Sequence, residues 1–232
     1  MKIIGLIGGM SWESTVPYYS QINQIIKQRL GGLHSAKLIL YSVDFHDMER
    51  LMQASDWDGA AAVLAGAARA LEAAGAQALV LCTNTLHKVA GAIEAAVGIP
   101  LLHVVDATAA DIVQAGFGTV GLLGTRFTME QAFYRDRLRI GHGLHVVTPN
   151  QSDRDTVHHV IFEELCLGRL TASSRTDCQR IMKALVAQGA QAIILGCTEL
   201  SALIAPSDAS VPLFDTTGIH ARAAAEWALS AN

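Results

Sequence analysis

The stretch Gly75-Ala-Gln-Ala-Leu-Val-Leu-Cys-Thr-Asn-Thr85 lies without a gap over Gly189-Ala-Gln-Ala-Ile-Ile-Leu-Gly-Cys-Thr-Glu199, at an offset of 114 residues. Two further pairs agree. Gly5-Leu-Ile-Gly8 matches Gly121-Leu-Leu-Gly124 at an offset of 116, which also carries Tyr18 onto Tyr134, and Val97-Gly-Ile-Pro100 parallels Ser210-Val-Pro212 at about 112. A unit of this length is too long for a solenoid repeat and right for a small α/β domain. The 232-residue chain therefore reads as two similar domains in tandem, a pseudo-dimer whose interface is the natural cleft for a ligand. The expected boundaries are 1–104 together with a C-terminal helix 216–232 for the first domain, and 105–215 for the second.

Short β-branched or leucine-rich runs alternate with Ala-rich stretches through both halves. Strands are expected at Lys2–Ile7, Ala36–Val43, Ala78–Leu81, Leu101–Val105, Thr119–Leu123, His145–Val147, Ala192–Leu195 and Val211–Phe214. Helices are expected at Thr15–Leu30, Trp57–Ala74, Thr85–Ala96, Asp106–Ala115, Met129–Leu138, Asp155–Leu167, Ser174–Gln188 and Thr216–Leu229, several with Gly just past the end. This is the rhythm of α/β domains, each a parallel sheet flanked by helices. With 51% hydrophobic and only 16% charged residues, disorder is excluded. A net charge of -4 gives no reason to expect nucleic acid or an anionic membrane as partner. No apolar run approaches the roughly 18 residues of a spanning helix, the opening MKIIGLIGGMS meets glycine too early for a signal-peptide core, and the four cysteines lack paired spacing. The expectation is a cytoplasmic protein with reduced thiols.

In open parallel sheets ligands sit beyond the carboxyl ends of the strands. Four turns occupy such places: Gly8-Gly-Met-Ser-Trp-Glu-Ser-Thr15, Cys82-Thr-Asn-Thr-Leu-His-Lys88, Gly124-Thr-Arg-Phe-Thr128 and Gly196-Cys-Thr-Glu199, two in each half and paired by the repeat. Each is expected to open a helix and so to present backbone N–H groups and the positive end of a dipole to a carboxylate or phosphate. Helix capping alone also selects Ser, Thr and Asn, but four paired turns favour a site. Gly5-x-x-Gly8-Gly9 lacks the third glycine of the dinucleotide fingerprint, and no Lys-Ser or Lys-Thr pair marks a phosphate loop.

Cys197 ends an apolar strand and begins a helix, a position expected to lower a thiol pKa from about 8.5 toward neutrality and to make a base or nucleophile; the other use of such a cysteine is as a small buried hydrophobe. The duplication sets Cys197 opposite Thr83 and Cys82 opposite Gly196, and strand alternation turns Cys82 away from the side Thr83 faces. Cys82 is the weaker candidate. Cys166 and Cys178 lie inside helical patterns and read as packing residues, and the His158-His159 pair, His34, His46 and His220 have no companions at metal-ligand spacing, so no metal is expected. His87 either lines the cleft or is a hydrogen-bonded structural histidine.

The opening IGLIGGMSWEST, the turns CTNTLHK and LLGTRFTME, the stretch FEELCLGRL and above all IILGCTEL closely resemble the aspartate/glutamate racemase family, over nearly the whole chain. The resemblance implies two duplicated α/β domains with the active site between them, an acidic amino acid as substrate, no cofactor, and a homodimer. It also implies one cysteine from each half on either face of the substrate α-carbon, one removing a proton as thiolate and the other returning one as thiol. This chain departs at the first of these: the family's cysteine directly precedes Asn-Thr, and here that seat is Thr83 with Cys82 displaced by one. The resemblance gives the second-half cysteine to the L-enantiomer. The catalytic expectation is therefore Cys197 as base toward an L-amino acid, with Thr83 or a water it holds returning the proton. Ser11, Asn84, Thr85, Thr125 and Thr198 are expected to hold the α-carboxylate and ammonium, by motif position and by the helix-opening argument together. Lys88, Arg126, Arg50 and Arg169 are candidates for the side-chain carboxylate, Arg50 and Arg169 reading rather as solvated charges. The rival readings are a one-cysteine decarboxylase or cis-trans isomerase of a dicarboxylate, and an amino-acid-binding protein without chemistry.

Overall fold

The computed structural model describes residues 1–231. The chain forms two compact units, one of Met1–Val104 with the C-terminal run from His220, the other of Val105–Ile219. In the first unit the elements are β1 (Ile4–Gly8), α1 (Trp12–Leu30), β2 (Leu38–Ser42), α2 (Phe45–Gln53), α3 (Trp57–Ala73), β3 (Ala78–Leu81), α4 (Ala90–Ala95) and β4 (Leu101–Leu102). The second runs through α5 (Val104–Gln114), β5 (Thr119–Gly124), α6 (Arg126–Glu130), α7 (Ala132–Asp136), β6 (His145–Val147), α8 (Gln151–His159), α9 (Ala172–Ala187), β7 (Ala192–Gly196), α10 (Leu200–Leu203) and β8 (Leu213–Asp215). Helix α11 (Thr216–Leu229) begins in the second unit and continues into the first.

Each unit carries a four-stranded, all-parallel sheet, in the order β2-β1-β3-β4 in the first and β6-β5-β7-β8 in the second. The two orders are the same, as a duplication requires. The central strands β1, β3 and β7 are buried along their full length, which is why their sequences are continuous apolar runs rather than alternating ones. In the first unit Ile4, Leu6, Val80 and Cys82 pack with Tyr18, Ile22 and Ile26 of α1 and with Ala221, Ala224, Ala225 and Ala228 of α11. The small alanines let α11 lie close to the sheet. On the other face Gly5 admits α3: an added Cβ would stand 3.2 Å from the Cβ of Leu71 and 3.0 Å from that of Ala76. In the second unit Leu123, Ile193, Leu195 and Cys197 share a cluster with Val157 of α8 and Ile181, Met182 and Leu185 of α9.

Several expected elements differ in extent. The strand expected at Leu101–Val105 is only two residues long, because β4 pairs with β3 at Leu79–Leu101 and Val80–Leu102 and the chain turns helical at Val104. The helix expected at Met129–Leu138 is broken at Gln131, whose extended backbone (φ -82°, ψ 149°) separates α6 from α7. That expected at Asp155–Leu167 starts earlier, at Gln151 behind an Asn150 cap, and after His159 relaxes into a wider π-helical turn, Val160–Glu164. Helix α2, not anticipated, is short; it is capped by Asp44 accepting from the N–H of His46 at 2.9 Å and inserts Met48 and Met52 into the core. Among the described residues no helix is long and apolar enough to cross a membrane.

A buried polar pair ties α1 to α11. His220, fully buried, donates from Nε2 to the carbonyl of Leu102 at 2.7 Å, so its Nδ1 accepts from the Tyr18 hydroxyl at 3.0 Å. Burial pushes the imidazole pKa down from 6.5 to about 4. The folded chain thus binds this proton less readily than the unfolded chain, and the stability linked to it is full above pH 6.5 and lost as pH falls toward 4. Urea unfolding at pH 7 and at pH 4.5 should show wild type losing on the order of 3 kcal/mol more than His220→Gln across that window. Equal losses in the two proteins would place the acid-sensitive group elsewhere.

Candidate active site

A sheet ordered 2-1-3-4 reverses its winding between the first and third strands, and a ligand crevice opens beyond the carboxyl ends there. In the first unit those ends carry the expected residues. After β1, Gly9 takes φ +90° and lies so close to the next crossover that a Cβ would meet the carbonyl oxygen of Val43 at 2.2 Å. Ser11 then caps α1, its Oγ accepting from the N–H of Ser14 at 3.4 Å, while Thr15 accepts from the N–H of Gly9 at 2.8 Å and donates to the Ser11 carbonyl at 3.2 Å. After β3, Thr83, Asn84 and Thr85 form a tight turn into a 3-10 helix, Thr85–Val89, and all three are buried. Cys82 is fully buried in the apolar cluster facing α1 and α11, and burial pushes its thiol pKa up.

The second unit repeats the arrangement at β5 and β7. Thr125 caps α6, its Oγ1 accepting from the N–H of Thr128 at 3.3 Å, in the place Ser11 holds in the first unit. Cys197, only 7% exposed, follows β7 directly. Strand register makes the equivalence of Thr83 and Cys197 concrete: Ile7 pairs with Leu81 and Leu123 with Leu195, so Thr83 and Cys197 each stand two residues beyond the corresponding pair. Helix opening is not uniform, however. Asn84 makes no side-chain capping bond, and α10 is a four-residue helix whose cap position, Glu199, makes none either. Only the Ser11 and Thr125 turns are capped as expected.

The sequence profile of the Asp/Glu/Hydantoin racemase family matches residues 7–224. The chain belongs to this family. It is 23% identical, over 240 residues and 95% of each chain, to the broad specificity amino-acid racemase RacX of Bacillus subtilis (strain 168). Among solved structures, one from Yersinia pestis, provisionally assigned as an Asp/Glu racemase, is 60% identical, with a TM-score of 0.94 over 99% of this chain and 100% of that one. An aspartate racemase homologue from Pyrococcus horikoshii OT3 is 37% identical, with a TM-score of 0.85 and the same coverage. The protein is thus a racemase-type isomerase built from duplicated α/β units.

In this racemase the state of the Cys197 thiol is the reverse of the expected one. Burial, then the charge of Glu199, then the nearby Cys166, hold its pKa well above the ordinary thiol value. One turn of α10 supplies little dipole, and a carboxylate outweighs it: Cys197 Sγ donates to Glu199 Oε2 at 2.9 Å. Thr198 donates to the same oxygen at 2.5 Å, which orients the carboxylate, and Cys166 approaches the other oxygen at 3.8 Å. Glu199 was not singled out from the sequence; Cys166, half-buried, packs against the apolar cluster of the second unit as expected and also reaches Glu199. The signal for Glu199 was present: the repeat pairs it with Thr85, a polar residue already chosen. Cys178 does lie in the core, its pKa pushed up to about 12.

Of the basic candidates, Lys88 is half-buried, lays its ammonium 3.7 Å from the centre of the Trp57 ring, and has its pKa lowered by burial. Arg126 pairs with Asp155 at 2.9 Å, Arg50 with Asp47 at 3.7 Å, and Arg169 donates to the Glu163 carbonyl. His87 is buried and bonded to backbone at both nitrogens. Among the described residues no three His, Cys, Asp or Glu side chains gather as a metal site. Removing the Glu199 charge should release the Cys197 proton more easily. In Glu199→Gln, the pH midpoint of Cys197 alkylation by iodoacetamide, read by peptide mass spectrometry, should fall; an unchanged midpoint would leave burial and Cys166 as the causes.

Proposed function

We propose that the protein is a cofactor-independent racemase of acidic amino acids, aspartate or glutamate, that prefers the L-form. Cys197, as thiolate, removes the α-proton, and the proton on the opposite face comes from the Thr83 side, from its hydroxyl or a water it holds. The observation that carries the reading is the unequal pair at equivalent stations: a thiol hydrogen-bonded to a carboxylate after β7, and a threonine after β3. A two-base racemisation needs an acid/base group on each face of the carbon, and a free threonine hydroxyl is too weakly acidic to act as the base near neutral pH. Deprotonation then starts efficiently from one enantiomer only.

Cys197 rests as a thiol, so its proton must first move. Glu199 Oε2, at 2.9 Å, is the acceptor in reach, and the substrate's ammonium would add the positive charge that favours a thiolate; after inversion the proton held by Glu199 and the oxyanion left on the Thr83 side cancel through solvent, which restores all three groups. Ser11, Asn84, Thr85, Thr125 and Thr198 are assigned to the α-carboxylate and ammonium. Donors on that carboxylate stabilise the enediolate-like charge that develops as the α-proton leaves. Lys88 and Arg126 are the candidates for the side-chain carboxylate, whose reach distinguishes aspartate from glutamate by one methylene, worth about 1 to 3 kcal/mol. A cytoplasmic location, from the unpaired spacing of the four cysteines, and a homodimer, from resemblance alone, complete the reading.

Proton NMR of L-Asp, D-Asp, L-Glu and D-Glu incubated with the protein in D2O, with chiral chromatography of the same samples, tests it. The L-forms should lose their α-proton signal and yield D-product, and Cys197→Ala should lower both by about 10²- to 10⁴-fold. Thr83→Cys should raise α-proton exchange from the D-forms toward that from the L-forms. Full activity in Cys197→Ala, or equal rates of α-proton exchange from both antipodes in wild type, would sink the mechanism. No exchange of any of the four by folded protein would turn attention to decarboxylation or cis-trans isomerisation of dicarboxylates, or to binding alone.

A further inference from the structure

The turn that carries Thr83 is held from behind by a buried imidazole. His87 Nδ1 lies 2.8 Å from the carbonyl oxygen of Thr83, and its Nε2 lies 3.3 Å from the backbone nitrogen of Val104. An N–H can only donate, so Nε2 accepts from Val104 and the proton sits on Nδ1, which donates to Thr83. The ring therefore bridges two neighbouring strand ends, that of β3 and that of β4. It is 3% exposed and packs against His103, with ring centres 4.4 Å apart. Thr83 is fixed from the other direction as well, its N–H donating to Leu81 at 2.8 Å.

The second unit holds its own turn at the same station by simpler means. Ser201, which the repeat sets opposite His87, donates from Oγ to the carbonyl of Thr198 at 2.9 Å. A side chain at this position thus ties the turn carbonyls in both units. Only in the first does it reach the carbonyl of the residue equivalent to the cysteine.

We infer that His87 is a positioning residue for the Thr83 side of the reaction: its Nδ1–H fixes the Thr83 backbone, and with it where the hydroxyl or its water stands when the proton is returned. The inference rests on the proposed racemase mechanism and deepens it. Its consequence is specific, because Cys197 lies in the other unit and does not depend on this bond. Loss of the bond acts on the fate of the deprotonated intermediate, which either regains a proton from the Cys197 side and returns as L, or takes one from the Thr83 side and inverts.

The test is that partition, measured in D2O as the ratio of α-deuterated L-substrate to D-product formed from L-Asp or L-Glu, whichever wild type uses. In His87→Ala the ratio should rise by about ten-fold or more. A loss of folded enzyme lowers both products together and leaves the ratio where it was. His87→Asn places an amide N–H where Nδ1 stands and should bring the ratio back toward wild type, whereas His87→Gln reaches the Val104 side and should not. These two variants decide the matter even if the alanine variant fails to fold. A wild-type ratio in His87→Ala or in His87→Gln, or rescue by Gln rather than Asn, would overturn the inference. Absence of Cys197-dependent exchange in wild type is the separate failure of the mechanism itself, and the inference falls with it.

Discussion

Parallel pairing between two buried central strands governs the architecture of each unit. β1 against β3, and β5 against β7, run as buried apolar ladders of four to six residues whose backbone groups satisfy one another. Where the ladders end, buried N–H and C=O groups still require partners. They find them in the residues read as functional: Thr15 takes the N–H of Gly9, Ser11 and Thr125 cap their helices, and His87 takes the Thr83 carbonyl. The same register that closes the backbone account sets Thr83 and Cys197 at matching stations. Site and scaffold are one construction here, and a change in either is felt in the other.

On that shared frame the two halves have diverged as a set rather than at a single residue. Opposite Cys197 stands Thr83, and opposite Glu199 stands Thr85. The first unit therefore lacks both the thiol and the carboxylate that accepts from it, while keeping the strand ends and the capped turn. Divergence that removes donor and acceptor together is what a division of labour requires. A carboxylate left in the first unit without its thiol would carry a burial cost with no compensating bond.

Periodicity and duplication made the sheets and most helices legible, because continuous apolar strands and Ala-rich amphipathic stretches announce themselves in composition. What escaped were features decided by a few atoms. Gln131 breaks a helix through one extended residue, and α2 is too short for its two buried methionines to establish a period. At the site, register and resemblance both point to Thr83, and the seven candidate residues all stand at the ends of the central strands or in the turns that leave them. The Cys197 pKa was read with the wrong sign. Helix position was weighed without the carboxylate two residues away, whose effect depends on a side-chain direction that spacing does not reveal.

A raised thiol pKa is no obstacle to the chemistry proposed. The α-proton of an amino acid is a very weak acid, and by Brønsted behaviour a more basic thiolate is the better base, at the cost of being rarer. A cysteine with a strongly lowered pKa would be ionised always and basic too little. Burial and Glu199 move Cys197 to the opposite limit, a reluctant acid that is a strong base once its proton is gone. The proton then needs somewhere near to go, and in the proposed mechanism the group that makes ionisation costly is also the one that would receive it, 2.9 Å away and oriented by Thr198. On this proposal substrate would supply the remaining bias through its ammonium, so that the thiolate would form mainly when there is an α-proton to take. A hydroxyl would suffice on the other face, because returning a proton to a carbanion is downhill and asks for placement rather than basicity.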